Sequence, residues 1–177
     1  MLTPEVCYNE EVSQVIEART IVVEKGARTL ALVESGRTVA RFPVLVGGNP
    51  GPKKQEGDGR TPEGHYFVLR LLADEAAAGV GYYKGLHISY PEVKDAERAY
   101  LEGRIGDDLL RRILKDYATG TIPPQESLLG GYVAIHAGLA PDEPFERGTK
   151  GCIVMRNADM DSVYAFAQAG TPVLIVP

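Results

Sequence analysis

Three β-branched runs stand end to end between Thr20 and Val46, and short glycine turns cut each from the next. They cover residues 20–24, 29–34 and 38–46, with Lys25-Gly26 and Ser35-Gly36 between them. Side chains branched at Cβ suit a pleated surface, and turns this tight join antiparallel neighbours, so the segment reads as a β-meander. The same pattern returns at 64–72, 85–90, 131–136, 151–155 and 172–176. Twenty glycines and twelve prolines punctuate the 177 residues as turns do between short strands. The expected fold is therefore mainly β, an antiparallel sandwich or partly closed barrel.

Two stretches break the strand rhythm. Residues 91–120 carry Ala96, Ala99 and Tyr100, then Leu109, Leu110, Ile113 and Leu114, at helical spacing, and Pro123-Pro124 closes the excursion. At about 30 residues this is too short to fold alone, so it reads as a helical insert with a solvated outer face. The second is one C-terminal helix, with Asn157 as N-cap, Asp159 and Asp161 in the first turn, and Gly170 at its end. Residues 1–18 form a lead-in segment with Val12, Val15 and Ile16 on one helical face, and 19–177 form one domain.

Charge and hydropathy remove several functions. Lys and Arg total 19 against 24 Asp and Glu, a formal net charge of −5 that argues against a nucleic-acid binder. No apolar run reaches the roughly 18 to 20 residues of a membrane span. The first ten residues have neither the basic start nor the apolar run of a secretory signal. The chain is thus either cytosolic or the trimmed part of an exported protein.

Only three histidines and two cysteines are available for chemistry. His136 ends a strand, and Cys152 follows 16 residues later, after Gly148-Thr149-Lys150-Gly151. An imidazole beside a thiol lowers its pKa and yields a thiolate nucleophile. Gly151, lacking a side chain, lets a substrate carbonyl approach the N–H groups of residues 151 and 152 as an oxyanion hole. The competing reading is a buried structural cysteine. Zinc is a poor match, because one Cys beside one His falls short of the three or four ligands zinc wants. Cys7 reads as non-catalytic and His65 as structural. The turn Lys53-Lys54 reads as a charged one.

Ile135-His136-Ala137-Gly138, followed by Gly148-Thr149-Lys150-Gly151-Cys152-Ile153-Val154-Met155-Arg156-Asn157, resembles the signature of the L,D-transpeptidase catalytic domain. Upstream, Gly57-Asp58-Gly59-Arg60-Thr61-Pro62-Glu63-Gly64 is similar to that family's Thr-Pro-x-Gly hairpin. The longer run from Gln55, with Leu86-His87-Ile88-Ser89-Tyr90-Pro91, resembles an envelope-associated branch. The resemblance spans residues 20–177.

It implies Cys152 as nucleophile, His136 as general base and the Ala137 carbonyl as the group that holds the imidazole tautomer. The implied substrate is a peptidoglycan stem peptide, attacked at the L-centre carbonyl of its third-position diamino acid with release of terminal D-Ala, and no metal or cofactor is implied. Lys150, Arg156, Asn157, His87, Ser89 and Tyr90 are candidate substrate contacts. Glu56, Asp58 and Arg60 either bind the substrate's charged groups or form a solvated loop. Many members carry His where this chain has Lys150 and Arg where it has Val154; Ala137 replaces the commoner Gly or Ser.

The implied location is the cell envelope or periplasm, with the signal trimmed away. Water could resolve the same thioester, giving an L,D-carboxypeptidase or an amidase that frees a peptidoglycan-anchored lipoprotein. An inactive peptidoglycan-binding module is the alternative from another class. A sortase is disfavoured because no Arg follows Arg156, and peptidases that place Cys before His are excluded because no His follows Cys152.

Overall fold

The computed structural model describes residues 19–73 and 83–177. The proposed lead-in helix and Cys7 lie outside the described residues. Strands β1 (Arg19–Glu24), β2 (Thr29–Glu34) and β3 (Arg37–Pro43) form the antiparallel meander that the β-branched runs predict. They join β4 (Gly64–Ala73), β5 (Lys84–Ile88), β6 (Ala134–Leu139), β7 (Ile153–Arg156) and β8 (Pro172–Val176) in one eight-stranded sheet. Its order is β3-β2-β1-β8-β4-β5-β6-β7.

The sheet is mixed, since β8 runs parallel to β1 and β7 parallel to β6. A parallel neighbour needs a long crossover, and residues 140–152 supply it between β6 and β7. The two edges nearly meet. Beyond β3, Leu45 and Val154 exchange both main-chain hydrogen bonds, at 2.8 and 2.9 Å, and Thr149 N–H donates to the Val46 carbonyl at 2.8 Å. Edge N–H and C=O groups that would face solvent are thereby paired, which seats the 140–152 loop against residues 45–48.

Ile21, Val23, Leu30, Val68, Leu86, Ile135, Ile153 and Ile175 fill the interior. Helix α3 (Asn157–Phe166) covers one side through Met160 and Val163. The insert consists of two helices, α1 (Val93–Leu101) and α2 (Asp107–Ala118), and they bury Ala96, Ala99, Ile105, Ile113 and Leu129 as a separate cluster. Among the described residues no helix is long and apolar enough to cross a membrane.

The C-terminal helix departs from expectation at both ends. Arg156 is its N-cap and Asn157 already lies in the helix. Asp161 falls beyond the first turn and pairs with Lys84 at 2.6 Å. The helix stops at Phe166, because the chain needs the following residues to reach β8: Gly170 N–H donates to the Val68 carbonyl at 2.8 Å.

Candidate active site

Register decides what faces what. Ile135 on β6 pairs with Ile153 on β7, and both point into the core. Alternation then puts Ala134 and His136 on the opposite face, together with Val154, which pairs with His136. Cys152 lies two residues before Val154, so it shares that face as a diagonal neighbour of His136.

The half-buried imidazole is pinned. His136 Nδ1 sits 2.6 Å from the carbonyl oxygen of Ala137, an acceptor only, so Nδ1 carries the hydrogen and Nε2 the lone pair. Burial lowers the His136 pKa below its ordinary value, against the opposing pull of the Ala137 carbonyl. Burial pushes the Cys152 thiol up, while the main chain at Ala134 and the charge of Lys53 act the other way. Both directions favour the neutral forms, thiol and imidazole, over the thiolate that spacing suggests. The Cys152 Sγ lies 3.8 Å from the Tyr132 carbonyl.

Two threonines shape the turn that leads into the cysteine. Thr149 Oγ1 donates to the Cys152 carbonyl at 2.6 Å and accepts from Gly151 N–H at 3.1 Å. Fully buried Thr61 donates to the Gly151 carbonyl at 2.9 Å and accepts from Gly47 N–H at 2.8 Å. Gly151 has φ of +141°, and a Cβ there would stand 2.8 Å from the Arg60 carbonyl oxygen. No other residue fits without movement. The expected pair of amides at 151 and 152 is not equivalent, because the Gly151 N–H is taken up by Thr149 Oγ1.

The candidate contacts divide. Lys150 is exposed on the turn before Gly151. Arg156 places its guanidinium 4.6 Å over the Phe145 ring and holds the 140–148 loop. With exposed Asn157 it lines a cleft of about 500 Å³ that residues 138–141 complete. His87 pairs in register with Ala134, so it joins the face that bears Cys152. It is buried, stacked on Tyr132 with ring centroids 6.1 Å apart, and its Nε2 donates to Gln125 Oε1 at 3.0 Å.

Ser89 and Tyr90 do not reach the surface. Ser89 Oγ accepts from Phe67 N–H at 3.0 Å, and Tyr90 donates to the Leu129 carbonyl at 2.9 Å, both beneath the insert. Asp58 organises its own loop: its carboxylate accepts from the N–H groups of Lys54 (2.7 Å), Gln55 (3.1 Å) and Arg60 (3.1 Å). Glu56 is exposed, and Arg60 is half-buried with its carbonyl against Gly151. His65 is exposed.

Residues 18–175 match the model of the L,D-transpeptidase catalytic domain, nearly the whole chain. The chain belongs to the L,D-transpeptidase catalytic domain family. No curated protein matches it in sequence. Among solved structures, Bd1075 of Bdellovibrio bacteriovorus aligns at 23% identity and TM-score 0.57, over 90% of this chain and 48% of its own. The helical cell shape determining protein Pgp2 of Campylobacter jejuni aligns at 21% and 0.57, over 89% of this chain and 47% of its own. An Enterococcus faecium L,D-transpeptidase C442S mutant aligns at 15% and 0.53, over 90% and 50%. These likenesses concern the fold, and the chain spans about half the length of each of those proteins. Within this L,D-transpeptidase domain Thr149 and Tyr132 contact Cys152, Thr61 and Lys53 reach the Gly151 turn before it, and Gln125 holds Tyr132, although sequence reasoning does not place these five in the site. Thr61 and Thr149 do stand inside the two family-like motifs; nothing in the sequence marks the other three.

Proposed function

We propose that this domain performs cysteine-dependent acyl transfer on peptidoglycan stem peptides. His136 Nε2 takes the Cys152 thiol proton as sulfur attacks the L-centre carbonyl of the third-position diamino acid. The C–N bond to terminal D-Ala breaks, its amine leaves with the proton from His136, and a thioester remains on Cys152. An acceptor amine attacks that thioester and sulfur departs as the thiol again. A positioned general base contributes about 10²- to 10⁴-fold to such a step, and one oxyanion donor, here the Cys152 amide, about 10²- to 10³-fold.

The observation that carries this reading is the shared face of Cys152 and His136, with Nδ1 tied to the Ala137 carbonyl so that Nε2 is the base. The site of action follows the substrate, in the cell envelope. Mass spectrometry of products from tetrapeptide muropeptides tests it. Crosslinked dimers support transfer. Trimmed tripeptides, or release of a peptidoglycan-anchored lipoprotein, point to water as acceptor, and binding without any turnover identifies an inert docking module.

A further inference from the structure

Lys53 is not a surface turn residue. It is 5% exposed, and its ammonium donates to the Gln55 carbonyl at 3.0 Å and to Asp58 Oδ1 at 3.1 Å. Burying an ammonium is costly, and few lysines are buried to this degree without a partner or a task. Asp58 is the partner; the position suggests the task. A Cβ on Gly151, the residue before the nucleophile, would lie 3.9 Å from Lys53 Nζ, and one on Gly130 would lie 3.3 Å from its Cε. The lysine stem thus runs past two glycines and ends behind the turn that carries Cys152.

The surroundings fix it there. Arg98 on α1 donates to the Lys53 carbonyl at 3.3 Å, Arg104 donates to the Lys54 carbonyl, and Glu56 N–H donates to the Leu128 carbonyl at 3.0 Å. The insert therefore clamps the main chain at the lysine and at the residue after it. Asp58 shares its negative charge among three main-chain N–H groups of its own loop, while the ammonium takes the end of the pair toward Gly151.

We propose that Lys53 supplies the positive charge that stabilises the Cys152 anion during attack, with the insert holding it in place. It acts through the sulfur rather than on substrate. The Lys53 charge lowers the Cys152 thiol pKa against the rise from burial, consistent with this orientation. The proposal rests on Cys152 being the nucleophile, yet it needs no peptidoglycan to be tested.

Iodoacetamide alkylation of Cys152 is followed against pH in a Cys7→Ala background, with far-UV circular dichroism on every variant. Lys53→Met is expected to raise the thiol pKa by about one unit, roughly a tenfold slower reaction at neutral pH. Asp58→Asn, which keeps the lysine and removes its counter-charge, is expected to shift the thiol pKa downward. A residue that only held the loop would move both variants the same way. The Lys53→Met/Asp58→Asn double variant avoids an orphaned carboxylate and is expected to titrate above wild type. A wild-type thiol pKa in a folded Lys53→Met or double variant, or shifts of one sign in both single variants, overturns the proposal. Muropeptides left unconverted by an enzyme that shows these shifts would count against the transfer reading alone.

Discussion

The fully buried hydroxyl of Thr61 bridges the Gly47 amide and the Gly151 carbonyl, at 2.8 and 2.9 Å. One side chain therefore ties the loop that closes the sheet to the turn that presents the cysteine. Thr61→Val keeps the shape and orphans two buried main-chain groups, at a cost of about 1–3 kcal/mol each. Urea unfolding should show a loss of about 2–6 kcal/mol for the two groups together, and Cys152 alkylation should slow, whereas Thr61→Ser should retain both.

Gly151→Ala meets two obstacles together, the positive φ and a Cβ 2.8 Å from the Arg60 carbonyl. Backbone strain of this sort costs on the order of 1–3 kcal/mol. The expected outcome is a lower melting temperature and at least tenfold slower thiol labelling. Wild-type values in both measurements would show that the turn has room for a side chain after all.

The directions of the His136 and Cys152 shifts set the expected pH behaviour. Burial lowers His136, so its imidazole stays unprotonated below the ordinary pKa of about 6.5, and the acid limb of kcat/KM should fall below that value. Burial raises Cys152, so alkylation should keep rising beyond the ordinary thiol pKa of about 8.5. A flat alkylation rate from pH 5 to 7 would instead indicate a resting thiolate–imidazolium pair.

Gln125 Oε1 accepts from both His87 Nε2 at 3.0 Å and Tyr132 N–H at 2.7 Å, and the Tyr132 carbonyl lies 3.8 Å from the Cys152 sulfur. Its own amide is oriented by the carbonyls of Tyr90 and Pro123, at 3.1 and 2.9 Å. Gln125→Leu should free Tyr132 and slow alkylation severalfold, with a loss of about 1–3 kcal/mol in urea unfolding. Unchanged alkylation in a folded variant would remove Gln125 from the site.

Much of this architecture is legible in the amino-acid sequence. β-branched runs cut by glycine turns announce the β1–β3 meander, because a short turn leaves antiparallel pairing as the only neighbour. A terminal apolar run such as Pro172-Val173-Leu174-Ile175-Val176 announces burial but not its partners, so the parallel pairing of β8 with β1 is hidden. Cys152 and His136 stand out because so few residues of either type exist. Ser89 and Tyr90 mislead because an alternating strand does not reveal that the insert covers its outer face. Lys53 is opaque for a related reason: its burial depends on Asp58 and on helices more than 40 residues away in sequence, such as Arg98 on α1.

The most direct measurement of the central claim is covalent labelling by a carbapenem, whose strained carbonyl stands in for the acyl donor, read by intact mass. The wild-type domain should take up a single adduct at neutral pH, Cys152→Ala none, and His136→Ala one formed at least a hundredfold more slowly. Labelling of folded His136→Ala at the wild-type rate would contradict the assignment of the imidazole as the base that activates this sulfur.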